Sequence, residues 1–266
     1  MIEKMREFFE REPPKRSVDL NKNVVLYLED ISVSFDGFKA IDALNLYVMK
    51  NELRCIIGPN GAGKTTMMDI ITGKTRPDSG SAWLGQNFNL LLHSEDQIAR
   101  AGVGRKFQKP TVFENLTVYE NLELAMDSDK RVFPTLFAQP NNLEDESINV
   151  VMKKINLSQL SNELAGSLSH GQKQWLEIGM LLMQNAQLLL IDEPAAGMTH
   201  QEIDKTVELL MARKDKHSII VVEHDMDFVR SLQSPITVLH QGKVLAEGDM
   251  NKIQNDPKVV EVYLGE

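Results

Sequence analysis

Polar and apolar positions change their rhythm several times along the chain. After a charged opening stretch carrying Pro13 and Pro14, residues 25–35 and 40–48 read as strands separated by an Asp36-Gly37 turn. Arg54-Cys55-Ile56-Ile57 is a short apolar strand that runs into the glycine-rich GPNGAGKTT. The pattern predicts a helix from Lys64 to Thr72, ended by Gly73 as its cap. Residues 81–88 read as a further strand after the turn-rich Pro77-Asp78-Ser79-Gly80.

The middle third is helical. Thr117-Val-Tyr-Glu120 is a capping box that opens a helix toward Met126. Ile148, Val151, Met152 and Ile155 share one helical face, as do Trp175, Ile178, Gly179 and Leu182 in a helix beginning near Ser169. Strands then return: residues 188–191 and 218–222 are continuous apolar runs, the pattern of strands buried on both faces of a parallel sheet. Residues 201–213 predict the crossover helix between them. Residues 236–239 and 244–246 flank Gln241-Gly242-Lys243, a hairpin signal. The expectation is an α/β core split by a helical insert at about residues 110–184.

Composition narrows the class. The 266 residues hold 29 Lys and Arg against 38 Asp and Glu, a net charge of −9 that argues against nucleic acid as a partner. Cys55 is the single cysteine, so no intramolecular disulfide forms and a reducing compartment is expected. The charged opening lacks the apolar region of a signal peptide. No uncharged apolar run approaches the ~18–20 residues that span a bilayer; the most apolar stretch, residues 178–191, is interrupted by Gln184, Asn185 and Gln187. These features predict a cytoplasmic chain. His93, His200, His217 and His240 show no zinc-ligand spacing.

The chemistry gathers at four places. Gly58-Pro59-Asn60-Gly61-Ala62-Gly63-Lys64-Thr65, followed by Thr66, fits the G-x-x-x-x-G-K-[ST] phosphate loop. Its glycines let backbone N–H groups turn toward phosphates, and the next helix presents its N-terminus to the anion. Lys64 is expected to reach the β- and γ-phosphates of ATP, with the Thr65 hydroxyl on Mg²⁺. Next, Leu188-Leu-Leu-Ile191 ends in Asp192 and Glu193. Two carboxylates there make a solvated turn in isolation, but beside a phosphate loop they suit Mg²⁺ binding and activation of water. A second apolar strand delivers Glu223-His224-Asp225 to the same sheet edge, which makes His224 a candidate for the γ-phosphate. Finally, Ser169, before the Trp175 helix, is either a simple N-cap or part of an anion site.

In this order the motifs resemble the nucleotide-binding subunit of an ATP-binding-cassette (ABC) transporter, over nearly everything after Val25. The resemblance implies a P-loop NTPase cassette with a parallel-sheet core, an antiparallel β subdomain and an inserted helical subdomain. The core is expected over residues 24–109 and 185–266, the helical subdomain over 110–184, and a polar leader over 1–23. By this resemblance LSHGQ, with Ser169, His170, Gly171 and Gln172, is the signature loop that contacts ATP held by a partner cassette. Glu193 is the catalytic glutamate, supported by His224 and Lys64. Gln108 stands at the Q-loop position, joining Thr65 and Asp192 around Mg²⁺. Phe35 stands where an aromatic stacks on adenine, the alternative being core packing at a strand end. Two positions depart from the pattern: His170 replaces a glycine, and Thr199 replaces the aspartate that commonly ends the loop after Glu193.

Several stretches resemble the urea-uptake group, which is close to the branched-chain amino-acid group. They are GVGRKFQKPTVFENLTVYENLELA, LSHGQKQWLEIGMLL and DEPAAGMTHQE; His170 belongs to this resemblance. The C-terminal GKVLAEGDMNKIQNDPKVVEVYLGE resembles both groups. The expectation is therefore a urea importer, with branched-chain amino acids or another small amide as the alternative. A soluble cassette ATPase of the iron–sulfur assembly type is a minor alternative. The resemblance also implies a second ABC subunit as heterodimer partner, two separate transmembrane permease subunits and a periplasmic solute-binding protein. The chain would then sit peripherally on the inner face of the membrane. Pro110, Val112, Phe113 and Leu116 either dock the permease or close the core of the helical subdomain.

Overall fold

The structure, a computed structural model, describes residues 18–108, 111–126, 142–184, 186–212 and 216–264. Most of the polar leader, together with Lys109, Pro110 and Asn185, lies outside these. The chain divides into two compact units. One is formed by Val18–Thr111 with Ala186–Glu266; the other takes in the described residues 112–126 and 142–184.

The larger unit holds two sheets among the described residues. In the first, β1 (Val24–Phe35), β2 (Phe38–Met49), β4 (Ser79–Leu84) and β5 (Phe88–Asn89) pair antiparallel in the order β2-β1-β4-β5. The β1–β2 turn is tight because Asp36 and Gly37 both take positive φ, 48° and 85°, the primed geometry that follows strand twist. The strand expected over residues 81–88 is in fact two. Gly85, at φ 59°, turns the chain so that Leu84 pairs with Phe88, and a Cβ there would lie 2.4 Å from the Asp19 carbonyl oxygen.

The second sheet runs β10 (Lys243–Gly248), β9 (Ile236–His240), β3 (Leu53–Ile57), β8 (Ser218–Val222), β7 (Leu188–Asp192), β6 (Val103–Lys106). It is parallel except for the β9–β10 hairpin. Every residue of β7 and β8 is buried, which is why both read as unbroken apolar runs. Strand β6 was not expected: it is four residues long and ends in two adjacent cations. A single apolar core joins the two sheets through Leu26, Ile41, Met67, Ile71, Leu190 and Val222.

In the smaller unit, helices Val118–Ala125, Asn142–Lys154 and His170–Met183 pack on one another. The Thr117 capping box forms, with the Glu120 amide donating to the Thr117 hydroxyl at 3.1 Å. Ile148, Ile155, Trp175 and Ile178 are buried there, as their spacing predicts, and Leu122 joins them, whereas Leu182 is only partly buried. Phe113 is half exposed and so does not close that core, while Val112 and Leu116 are partly buried. Among the described residues no helix is long and apolar enough to cross a membrane.

Candidate functional site

Strand β3 ends at Ile57, and the phosphate loop leads into helix α1 (Lys64–Ile71). Glycine is obligatory at two of its positions. A Cβ on Gly58 would stand 2.2 Å from the Leu239 carbonyl oxygen, and one on Gly63, which takes φ 101°, 2.8 Å from that of Ala40. Gly63 caps α1 without a side-chain bond, and no acid lies in the first turn, so the helix offers its amides to an anion. The loop is braced from behind: the Gly242 amide donates to Ala62 O at 3.0 Å, and the Asp42 amide to Gly242 O at 3.0 Å. Lys64 Nζ donates to Gly58 O at 2.6 Å and Pro59 O at 3.0 Å. Burial pushes its ammonium below the ordinary lysine value, while the charges of Glu193 and Asp192 oppose that shift. Asn60, Gly61 and Thr65 are exposed, and Pro59 and Thr66 are partly buried. Desolvation pushes the hydroxyl of Tyr263, from the C-terminal helix Pro257–Leu264, up to about 12, and the Gly58 backbone opposes that shift.

Strands β6, β7 and β8 deliver the remaining groups of this unit. Asp192, the last residue of β7, is 7% exposed. Burial raises its carboxyl above the usual range, and Arg105 on β6 opposes that, with Nη2 3.7 Å from Oδ2. The same guanidinium bonds Asp69 Oδ1 at 2.5 Å and lies 4.7 Å from the Phe107 ring centroid. Lys106, fully buried, donates to Phe107 O at 3.1 Å and Asp192 O at 3.4 Å. Sequence reasoning missed Arg105 and Lys106; the signal was two adjacent cations immediately before Phe107-Gln108.

Glu193 takes φ 45°, a left-handed conformation that is unusual for a residue other than glycine and recurs at functional sites. Its carboxylate meets two predicted partners. Gln108 Nε2 donates to Oε2 at 2.5 Å, and His224 Nδ1 stands 3.5 Å from Oε1. Glu193 is 22% exposed by its side chain and His224 is 65% exposed. The structure thus brings together Gln108, Glu193 and His224 at the sheet edge where Asp192 ends its strand. Phe35 is 48% exposed and pairs with Phe38 at the hairpin turn, so it does not belong to the core.

The signature residues belong to the other unit. Ser169 caps helix His170–Met183 in a capping box: the Gln172 amide donates to its hydroxyl at 3.2 Å, and the Ser169 amide donates to Gln172 Oε1 at 2.9 Å. Gly171 is buried, whereas Ser169 and His170 are exposed, with the His170 Nε2 2.9 Å from the Gln174 amide nitrogen. Thr199, the other departure, has a local task in the larger unit. It caps helix His200–Met211, and its hydroxyl and amide both donate to Glu202 at 2.9 Å.

Thr65, Gln108 and Asp192 fit Mg²⁺ by the chemistry of their donors. All three offer oxygens, the ligand type of a hard cation, and Gln108 holds Glu193 through its nitrogen, which leaves Oε1 as an acceptor.

Comparison with known proteins agrees with this geometry. A family model described as ABC transporter matches residues 41–196, and one described as branched-chain amino acid ATP-binding cassette transporter matches residues 243–266. The chain is 34% identical over 252 residues to the high-affinity branched-chain amino acid transport ATP-binding protein BraF of Pseudomonas aeruginosa, covering 91% of this chain and 98% of that one. It is 34% identical over 251 residues to the corresponding LivG of Escherichia coli K12, with the same coverage. Among solved structures, the ADP conformation of an ATP-binding cassette of an ABC transporter superposes with TM-score 0.79 at 30% identity, covering 91% of this chain and 99% of that chain. The chain belongs to the ABC transporter family. It has the fold of an ABC cassette and is an ATP-binding, ATP-hydrolysing subunit of an importer, homologous to BraF and LivG. The urea expectation finds no support in these relatives, whose names carry branched-chain amino acids.

Proposed function

We propose that the chain powers uptake of branched-chain amino acids. The observation that carries this reading is the end-to-end similarity to BraF and LivG, reinforced by the C-terminal match over residues 243–266. The chain would act with a second cassette as a heterodimer, with two transmembrane permease subunits and with a periplasmic solute-binding protein. The half-exposed Phe113 and its neighbours Val112 and Leu116 suit the permease contact, holding the chain at the inner membrane face. Pro110, named with them, lies outside the described residues.

Each residue has a task in this reading. Phe35 stacks on adenine, and the amides from Gly58 to Thr66 surround the phosphates. Lys64 exchanges the carbonyls of Gly58 and Pro59 for phosphate oxygens. Thr65, Gln108 and Asp192 would hold Mg²⁺, which would supply neutralisation of phosphate charge. Glu193 takes the proton of the attacking water as the new phosphorus–oxygen bond forms and the bond to the ADP oxygen breaks. His224, adjoining Glu193, stabilises the charge that develops on the phosphoryl oxygens. Ser169, His170, Gly171 and Gln172 would face ATP on the partner cassette, with the helix N-terminus adding its partial charge.

The LSHGQKQWLEIGMLL stretch with His170 favours a second reading, urea. Uptake of labelled leucine and urea in cells lacking the gene separates the two. Loss of leucine uptake, restored by wild type and not by Glu193→Gln, is the expected result. Loss of urea uptake alone would select the second reading, and unchanged uptake of both would overturn both readings of the solute.

A further inference from the structure

Glu223 is a buried carboxylate to which the hydrolysis scheme gives no task. It follows the last residue of β8 and is 1% exposed. Oε1 accepts from the Ala195 amide at 2.8 Å, in the loop that leaves β7 through Glu193. Oε2 accepts from the amides of His224 at 3.0 Å and Asp225 at 3.4 Å. Its own amide donates to Ile56 O at 3.2 Å, two residues before the phosphate loop begins. One side chain therefore bonds the backbone of two loops that leave neighbouring strands. A carboxylate is the only side-chain group that is all acceptor, with two oxygens to divide between two sets of N–H donors.

Two features say that this contact does more than fill space. A buried carboxylate carries a desolvation penalty that an apolar residue would avoid, and burial indeed raises the Glu223 carboxyl above its usual range. Glu193, two residues before Ala195, is held in a left-handed conformation that persists only where its surroundings over-determine it. The Glu193 amide is tied to Val222 O at 2.9 Å, and Glu223 anchors the chain just beyond.

We propose that Glu223 is a positioning residue that sets the separation of Glu193 and His224 by holding both of their loops with one carboxylate. The inference rests on the roles given to Glu193 and His224 above.

The test is steady-state ATP turnover by the full-length chain assembled with its membrane subunits, alongside calorimetric ATP binding. Glu223→Gln keeps the shape but turns an NH₂ group toward an amide donor on one of the two loops. The kcat is expected to fall by on the order of 10–10²-fold, the scale of a misplaced catalytic group. The Kd for ATP should change less than about 2-fold, since phosphate binding uses other segments. In a His224→Ala background, Glu223→Gln should lower kcat by a smaller factor than in wild type, because only its effect through Glu193 is left. Wild-type kcat in Glu223→Gln, or a Kd that rises in step with the loss of kcat, would overturn the inference. If Glu223→Gln does not fold, Glu223→Asp carries the test: it keeps the charge but is too short to serve both loops, so lowered kcat at unchanged Kd is expected and wild-type kcat contradicts it. Glu193→Gln and His224→Ala, measured in parallel, separate the failures. Turnover retained by both refutes the site reading and this inference with it. Turnover lost by both but retained by Glu223→Gln refutes this inference alone.

Discussion

Strands β7 and β8 lie side by side in parallel register, with Asp192 level with Val222, so Glu193 and Glu223 leave the sheet at the same height. The two glutamates nevertheless do opposite things. Glu193 turns through a positive φ, stays partly exposed and points its carboxylate at Gln108 and His224. Glu223 is sealed from solvent and gives its oxygens to backbone amides. The buried acid of β7 is instead Asp192, and its counter-charge is the Arg105 guanidinium rather than amides. Burial and partners, not residue type, decide which acid serves chemistry and which serves architecture.

The contrast can be broken from either side. The largest effect on stability is expected from Arg105→Met, which leaves Asp192 and Asp69 without their shared buried cation. Removing one partner of a buried pair costs about 3–5 kcal/mol, readable as a lowered midpoint in urea denaturation. Lys64→Ala removes the cation of the phosphate loop; turnover should drop by on the order of 10²–10³-fold, and calorimetry should register weakened ATP binding. Thr199→Ala deletes the cap of helix His200–Met211 and should cost about 1 kcal/mol, checked by thermal unfolding. The smallest effect sharpens the comparison through pH. The folded-state carboxyl of Glu223 is raised, so its contribution to stability is fully present below the unfolded value and is lost as pH rises through the folded one. As pH rises from the ordinary glutamate range, the thermal midpoint of wild type should fall relative to that of Glu223→Gln.

What was legible follows the same physics. The phosphate loop could be read because close approach of backbone fixes its glycines at set spacing, as Gly58 and Gly63 illustrate. Strands β7 and β8 could be read because burial on both faces leaves residues 188–191 and 219–222 apolar without a break. Strand β6 could not, because Arg105 and Lys106 look like a solvated turn until Asp69 and Asp192 are seen to surround them. Glu223 was hidden for a related reason: Glu-His-Asp reads as polar punctuation, and its partners are backbone amides that no side-chain pattern announces. The split of residues 81–88 turned on Gly85, whose contact with Asp19 is remote in sequence. Ser169 was open to a capping role and its geometry is a cap; Thr199 was read only as a departure from an aspartate, and the structure shows that it caps a helix too.

The central claim is that Glu193 activates water on a nucleotide held by the phosphate loop. Glu193→Gln in the full-length chain tests it most directly, by phosphate release from ATP together with calorimetric ATP binding. The account predicts turnover lower by on the order of 10²–10⁴-fold, the range for a general base, with ATP bound as in wild type. Turnover at the wild-type rate, with ATP bound, would contradict it.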